Sequence, residues 1–381
     1  MSQLQRVGVI GGGQLAWMMA MEAPSLGVEL VVQTPSDRDP AAELCDAIFA
    51  PLDDIEATQT LSDRVDVITF ENEFVDLGKL SKLRDRGVLF RPSLDSLEPI
   101  LDKYHQRLYF QKLGLPVPQF IEVESLAQLE NQEVQFPIVM KSRRHGYDGR
   151  GTVILKDAES LRSTWETWGY PPVLLEDFIP FDGELAVIAA RNNDGEIAIY
   201  PIVETQQEEQ VCRRVLVPAP IDDKIVAECE AIACKLLNEL QYTGVMGIEL
   251  FLTQNGQLLV NEIAPRTHNS GHFSLDACET SQFAQHLRAV CNLPLGNTAL
   301  KSDGAVMVNL LGYETATRDY AQKRQEIEAI EGAIVRWYGK SQSYPGRKLG
   351  HVTVSLTGDN LRSRQMEIAR EIEAIFQRTI L

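Results

Sequence analysis

The chain has 381 residues, 44% of them hydrophobic and 24% charged, an ordinary globular balance over a length that suits two or three domains. These values exclude a disordered, collagen-like or coiled-coil chain. With 36 Lys and Arg against 54 Asp and Glu the net charge is −18, which argues against a general nucleic-acid binder or a protein of anionic membrane surfaces, yet leaves room for a local basic pocket.

Six cysteines (Cys45, Cys212, Cys229, Cys234, Cys278 and Cys291) form no CxxC pair, so zinc-ribbon and thioredoxin-like readings lose their spacing and reduced thiols are the expectation. No apolar run approaches the ~20 residues needed to span a bilayer. Arg6 followed by apolar Val7 to Met21 has the outline of a signal peptide, but Gly11–Gly13 and Gln14 break it.

In chain order, Arg6–Ile10 reads as a strand ending in glycines and Gln14–Glu22 as the helix after it. Val28–Gln33 and Val65–Phe70 are further buried strands, the second followed by acidic Glu71 and Glu73. Strands alternating with helices predict a parallel sheet covered on both faces, closing near Pro92–Pro99. Asp102–Leu113 is a predicted helix stopped by Gly114 and Pro116. Phe136–Lys141 is a strand ending in a lysine, followed by the loop Ser142–Gly151, the strand Thr152–Leu155, the helix Asp157–Trp168 and the strand Val173–Phe178. Glu184–Arg191 and Glu196–Glu204 read as antiparallel strands around the turn Asn192–Gly195, and Ile221–Leu240 as a long amphipathic helix. Gly244–Leu252 and Gln257–Ile263 flank the turn dipeptide Asn255-Gly256, and Thr280–Cys291 is a helix. A last unit holds strands at Ala305–Leu311, Ile334–Tyr338 and His351–Leu356, with helices near Asp319–Ala329 and Asn360–Phe376.

Five segments carry chemistry. Gly11-Gly12-Gly13-Gln14-Leu15-Ala16 matches the G-x-G-x-x-A fingerprint of dinucleotide sites, where glycines admit a ligand and the helix N-terminus favours an anion. An NAD site needs an acid at the end of the second strand; Gln33 and Thr34 stand there, so a phosphate contact and a plain tight turn remain open. Lys141 with the Gly146–Gly151 loop makes a glycine-rich flap between two strands, whose N–H groups can cover phosphates while the lysine neutralises them. Glu249 with Asn261-Glu262 offers hard oxygen ligands suited to Mg²⁺, a salt-bridged strand pair being the plainer reading. Arg266, His268, Asn269 and Ser270 supply donors for a polar substrate; His268 and His272 are four apart, but Pro265 and Gly271 oppose a helix and no HExxH glutamate supports zinc. Lys340 and Pro345-Gly346-Arg347-Lys348 concentrate cations in an acidic chain, which suggests an anion site or a solvated turn.

Together GVIGGGQL, GYDGRG, LLEDFIPFDGE, GVMGIELF, NEIAPRTHNSGH, SQFAQHLRAV and PGRKLGH, between residues 7 and 351, are similar to the ATP-grasp superfamily and within it resemble the ATP-dependent synthases of 5-(carboxyamino)imidazole ribonucleotide. The resemblance implies an α/β fold, α+β in the ATP-grasp part. Its units are a Rossmann-like domain (1–100), a two-part ATP-grasp domain (101–298, flap-bearing subdomain about 118–183) and a small C-terminal domain (299–381). It implies a cytoplasmic homodimer that uses Mg²⁺, ATP and bicarbonate to carboxylate aminoimidazole ribonucleotide through carboxyphosphate in purine biosynthesis, with transient contact to a downstream mutase conceivable. Another acceptor, as in formate-dependent glycinamide ribonucleotide transformylase, is the alternative within the superfamily; an NAD-dependent oxidoreductase and a non-catalytic nucleotide binder are those outside it.

Position by position, the resemblance gives ATP phosphate contacts to Lys103 and Lys141, and the flap to Gly146, Tyr147, Asp148, Gly149, Arg150 and Gly151. Glu176, Asp177, Phe178 and Ile179 match the adenine-reading linker, Glu184 the ribose carboxylate, and Glu249 and Glu262, joined by Asn261, the Mg²⁺ ligands. Gln14, Tyr147, Asp148, Arg150, Arg266, His268, Asn269, Ser270, Lys340 and Arg347 fall on the ribonucleotide and bicarbonate side. Arg266 is the candidate for stabilising carboxyphosphate, Asp148 or His268 for the amine proton, and Lys340 joins them as catalytic. Ala16 and Trp17 stand where the family reads Gly-Arg, and Gln207 replaces a histidine at the nucleotide; glutamine donates a hydrogen bond but carries no charge.

Overall fold

A computed structural model describes residues 5–130, 133–144, 146, 151–208 and 210–377. The chain opens with β1 (Arg6–Ile10), α1 (Gln14–Glu22), β2 (Glu29–Thr34), β3 (Asp46–Phe49), α2 (Ile55–Ser62), β4 (Val67–Phe70), α3 (Leu77–Arg84) and the single turn α4 (Leu94–Leu97). These strands form a parallel sheet in the order β3-β2-β1-β4, as alternating strands and helices predict.

After α5 (Lys103–Lys112) comes a smaller unit: β5 (Phe120–Val123), α6 (Leu126–Glu130), β6 (Ile138–Ser142), β7 (Thr152–Leu155), α7 (Ala158–Thr167) and β8 (Val173–Asp177). Its sheet is antiparallel, order β5-β8-β6-β7. The rest is one nine-stranded sheet. In it lie β9 (Phe181–Arg191), β10 (Ile197–Ile199), β11 (Val203–Glu208), β12 (Val211–Val217), β13 (Gly244–Thr253), β14 (Leu258–Ala264), β15 (Gly304–Leu311), β16 (Ala333–Trp337) and β17 (Lys348–Leu356). The helices α8 (Asp223–Glu239), α9 (Ser274–Ala277), α10 (Gln282–Val290), α11 (Ala321–Glu328) and α12 (Leu361–Gln377) cover it. The pairing β12–β15 carries the sheet without interruption from the central unit into the C-terminal one.

Three differences from the sequence reading have physical causes. The predicted strand Glu196–Glu204 is two strands, β10 and β11, separated at Tyr200–Ile202, where Pro201 has no N–H for a ladder. The helices α2 and α3 and the strands β3, β5 and β12 lie outside the predicted elements. β12 carries Arg213 and Arg214 mid-strand, a sequence with no clean alternation, and is fixed by neighbours on both sides. Trp17 and Ala16, the family departures, are packing residues: Ala16 is buried and Trp17 meets Tyr338 edge-on with ring centroids 6.3 Å apart.

The N-terminal unit is locked onto α10. Phe283, Leu287 and Val290 join the core of β1, β2 and α1. Buried His286 accepts the Val245 N–H at Nδ1 (3.0 Å), which leaves its proton on Nε2 for the Thr69 hydroxyl at 2.8 Å. Burial pushes the His286 pKa down to about 4, and that of buried His351 to about 3. Both are neutral when folded but protonate near pH ~6.5 when unfolded, so their stabilisation is complete above ~6.5 and lost as pH falls toward the folded values. Urea unfolding at pH 7 and pH 5 is expected to show a drop of roughly 1.4 kcal/mol per pH unit for each such histidine below ~6.5, and His286→Gln to remove its share of the slope.

Candidate active site

A cavity of about 840 Å³ opens where the three sheets meet. Part of its floor rests on a buried carboxylate. Glu176 of β8 is held between Arg107 of α5 and Lys141 of β6, with Lys141 Nζ 2.7 Å from one carboxylate oxygen. Burial opposes the charge on Glu176, but the two cations overcome it and hold the carboxyl at about 2. Burial lowers the Lys141 pKa against the pull of Glu176. Lys141 also donates to Asn261 Oδ1 at 3.0 Å, and Arg107 donates to the Asn261 carbonyl. The Glu176 side chain is thus a structural counter-ion, while Asp177, Phe178 and Ile179 run on from it along the cavity wall.

Glu249 of β13 and Glu262 of β14 are register partners across the hairpin. The register shifts there, so that Leu250 pairs with Val260 and Asn261 is the extra residue. This bulge lets consecutive Asn261 and Glu262 both face the cavity, although neighbours in a regular strand point to opposite faces. Asn261 Nδ2 donates to Glu249 Oε2 at 3.3 Å, and Glu262 is paired with Lys103. Burial and the adjacent Glu262 charge raise the Glu249 pKa, while Lys103 and Lys141 overcome burial and hold Glu262 low. Among the described residues no three His, Cys, Asp or Glu side chains converge on one metal. Two apposed carboxylates and an amide oxygen are hard oxygen donors of the kind that would suit Mg²⁺.

On the opposite wall, Arg266 forks onto Glu73, with one contact at 3.1 Å, and also donates to the Thr267 carbonyl. His268 Nδ1 lies 2.8 Å from the Ser270 hydroxyl, and its Nε2 lies 3.4 Å from Glu249 Oε1. Asn269 exchanges reciprocal amide hydrogen bonds of 3.0 and 2.8 Å with Asn309 of β15. Lys340 donates to the Lys348 carbonyl at 2.9 Å above the Tyr338 ring, and Arg347 donates to the Gln342 carbonyl at 2.7 Å. Gln207 donates to Glu184 Oε1 at 3.2 Å, and burial raises the Glu184 pKa to about 7.

Of the residues singled out in the sequence, Gln14, Lys141, Gly146, Glu176, Asp177, Phe178, Ile179, Glu184, Gln207, Glu249, Asn261, Glu262, Arg266, His268, Asn269, Ser270, Lys340 and Arg347 line this cavity. Lys103 lines a smaller recess beside it that shares Gly146 and Glu262. Gly151 sits at the flap base in a left-handed conformation (φ +76°), accepting the Ser142 N–H. Tyr147, Asp148, Gly149 and Arg150 lie outside the described residues.

The sequence reading missed Glu71 and Glu73 as site residues. Their signal was two acids at the C-terminal end of a strand of the parallel sheet, where ligands of such sheets gather. Glu71 gives the glycines of the turn before α1 a packing reason of their own. Its carboxylate accepts the Leu15 N–H at the start of α1, and a Cβ on Gly11 or Gly13 would lie 2.7 or 2.4 Å from its oxygens. The glycines make room for an internal anion, and burial lifts that carboxyl to about 7.

Family models agree with this layout: an ATP-grasp domain over residues 108–283, a ribonucleotide synthetase preATP-grasp domain over 4–100 and a phosphoribosylaminoimidazole carboxylase C-terminal domain over 305–364. The fold and site are those of an ATP-grasp protein. The N5-carboxyaminoimidazole ribonucleotide synthases of Synechococcus elongatus and of a Synechocystis strain are each 50% identical to the chain over 98% of its length and 96% or 99% of theirs. The Thermotoga maritima synthetase structure superposes with a TM-score of 0.86 at 39% identity, covering 97% of this chain and 98% of that one. The Aspergillus clavatus enzyme, solved with ADP and 5-aminoimidazole ribonucleotide, superposes at 0.90 with 29% identity over 100% of both. The chain belongs to the N5-carboxyaminoimidazole ribonucleotide synthase family.

Removing the buried counter-ion is the sharpest structural test of this floor. Glu176→Gln leaves Arg107 and Lys141 buried without a full partner and is expected to cost about 3–5 kcal/mol of unfolding free energy in urea titrations.

Proposed function

We propose that this chain carboxylates 5-aminoimidazole ribonucleotide at the expense of ATP, with bicarbonate as the carbon source. The observation that carries the reading is the single cavity in which buried Lys141 and the apposed Glu249 and Glu262 face Arg266 and His268. The 50% identity to synthases along the whole chain supports the substrate.

In this reading Lys141 and Lys103 neutralise the ATP phosphates, and Asp177 to Ile179 and Glu184 hold the nucleoside. Glu249, Glu262 and Asn261 would hold Mg²⁺, which would supply charge to withdraw electrons from the transferring phosphoryl group. A bicarbonate oxygen attacks the γ-phosphorus, the bond to ADP breaks, and carboxyphosphate forms. Phosphorylation replaces hydroxide, a poor leaving group, with phosphate, a good one. Arg266 and Lys340 stabilise the anion. The exocyclic amine then bonds to the carboxyl carbon, phosphate leaves, and the amine proton passes to His268 or Asp148. Arg347 and Gln14 bind the ribonucleotide, with Asn269, Ser270, Tyr147 and Arg150.

Arg266 is held by Glu73, which orients its guanidinium along the cavity wall. We further propose a cytoplasmic homodimer that makes transient contact with a downstream mutase; no helix among the described residues is long and apolar enough to cross a membrane.

ADP release from Mg·ATP and bicarbonate is expected to rise strongly when aminoimidazole ribonucleotide is added. Glu262→Gln is expected to lose about 10²-fold or more of that turnover. A folded, ATP-binding protein with no response to the ribonucleotide would falsify the substrate assignment.

A further inference from the structure

The stretch Ser281–Val290 repeats the family pattern, yet no step above uses it. Its first helical residue, Gln282, is completely buried, and its side-chain amide is held on every side. Its carboxamide oxygen accepts the His268 N–H at 3.0 Å, and its NH₂ donates to the His268 carbonyl at 2.7 Å. The same NH₂ lies 3.1 Å from His272 Nδ1. One side chain therefore satisfies both backbone polar groups of His268, as a neighbouring strand would.

A second strap runs beside it. The Gln282 N–H donates to Ser274 Oγ at 2.9 Å, and that hydroxyl donates to the Gly271 carbonyl at 2.6 Å. Room for the clamp depends on glycine: a Cβ on Gly271 would come within 2.6 Å of Gln282 Oε1. On the other side His268 lies against Gly247 of β13, where a Cβ would come within 2.5 Å of the His268 Cβ. Gly247 is two residues before Glu249 on the same face, so a histidine seated there reaches Glu249 with Nε2.

We propose that Gln282 is a positioning residue for His268: its carboxamide grips the His268 backbone, presses the residue onto Gly247 and so fixes the imidazole beside Glu249 at the site of carboxyl transfer. Gln282 is buried behind the loop and does not line the cavity, so its effect falls on the chemical step rather than on ATP binding. The role rests on the reading of His268 given above. Small misplacements of a reacting group cost up to about 100-fold in rate, which sets the scale of the effect.

The test uses the full-length protein with Mg·ATP, bicarbonate and aminoimidazole ribonucleotide. Gln282→Met keeps the volume and removes both hydrogen bonds to His268 together with the contact to His272. It is expected to lower kcat for carboxylated product by about 10- to 100-fold while KM for ATP stays within about twofold. In a His268→Ala background the same change is expected to cost less than about twofold, because the imidazole it positions is gone although the gripped backbone remains. Amide hydrogen exchange over residues 266–272, read by mass spectrometry, is expected to speed up in Gln282→Met. Gln282→Asn, an amide too short to hold both groups, serves where the Met variant folds poorly and is expected to show the same pattern in weaker form. Unchanged exchange, a loss carried by KM for ATP, or equal losses with and without His268 overturns the proposal. Full turnover in His268→Ala alone overturns instead the role of His268, and is visible with Gln282 intact.

Discussion

The ion pairs of Glu176 with Arg107 and Lys141 bring three parts of the chain to one point: helix α5, and strands β6 and β8 of the small sheet. Each of these charges is expensive to bury alone, and the arrangement is sustained because every partner is present. Both cations reach further, to the carbonyl and the amide oxygen of Asn261 on the large sheet. The bulged hairpin that carries Glu249 and Glu262 is therefore indexed against the small sheet through one buried carboxylate. The lysine offered to a phosphate and the carboxylates offered to a cation are placed by the same network.

The remaining wall comes from the N-terminal unit and the C-terminal strands. Arg266 leaves the end of β14 and meets Glu73 after β4, while Glu71 fills the turn before α1. A parallel sheet gathers ligands at the carboxyl ends of its strands, and here that edge faces the antiparallel sheet across the cavity. Lys103, Lys141, Arg266, Lys340 and Arg347 concentrate at or beside this cavity in a chain of net charge −18. Carboxylates line the same cavity, Glu73 and Glu176 among them, so an anionic ligand meets individually placed cations there and not a field of one sign.

Most of the elements were legible in the sequence. Buried parallel strands read as apolar runs, and long helices such as α8 and α12 show their period. The strands β3, β5 and β12 were not legible because their residues are mixed in polarity and their pairing comes from distant neighbours. The glycine-rich turn was legible as a place needing room, but not as room for Glu71, which lies about 60 residues away in the chain. Asn261 and Glu262 were legible as candidate ligands, yet a regular strand would have turned one of them away.

The sequence by itself determined the kinds of groups available, because their identity and local spacing are written along the chain: a lysine ending a strand, a glycine-rich flap, carboxylates on a hairpin, a polar loop after Pro265. It also carried enough likeness along its length to mark the family. Only the tertiary structure decided which of these groups meet. The bulge at Asn261, the Arg266–Glu73 fork, the buried Glu176 and the Gln282 clamp on His268 all join residues that are neighbours in space and distant or misaligned in sequence. Their pairing follows from a constraint acting after collapse: every polar group taken out of water must find a partner, and the fold determines which partners are within reach.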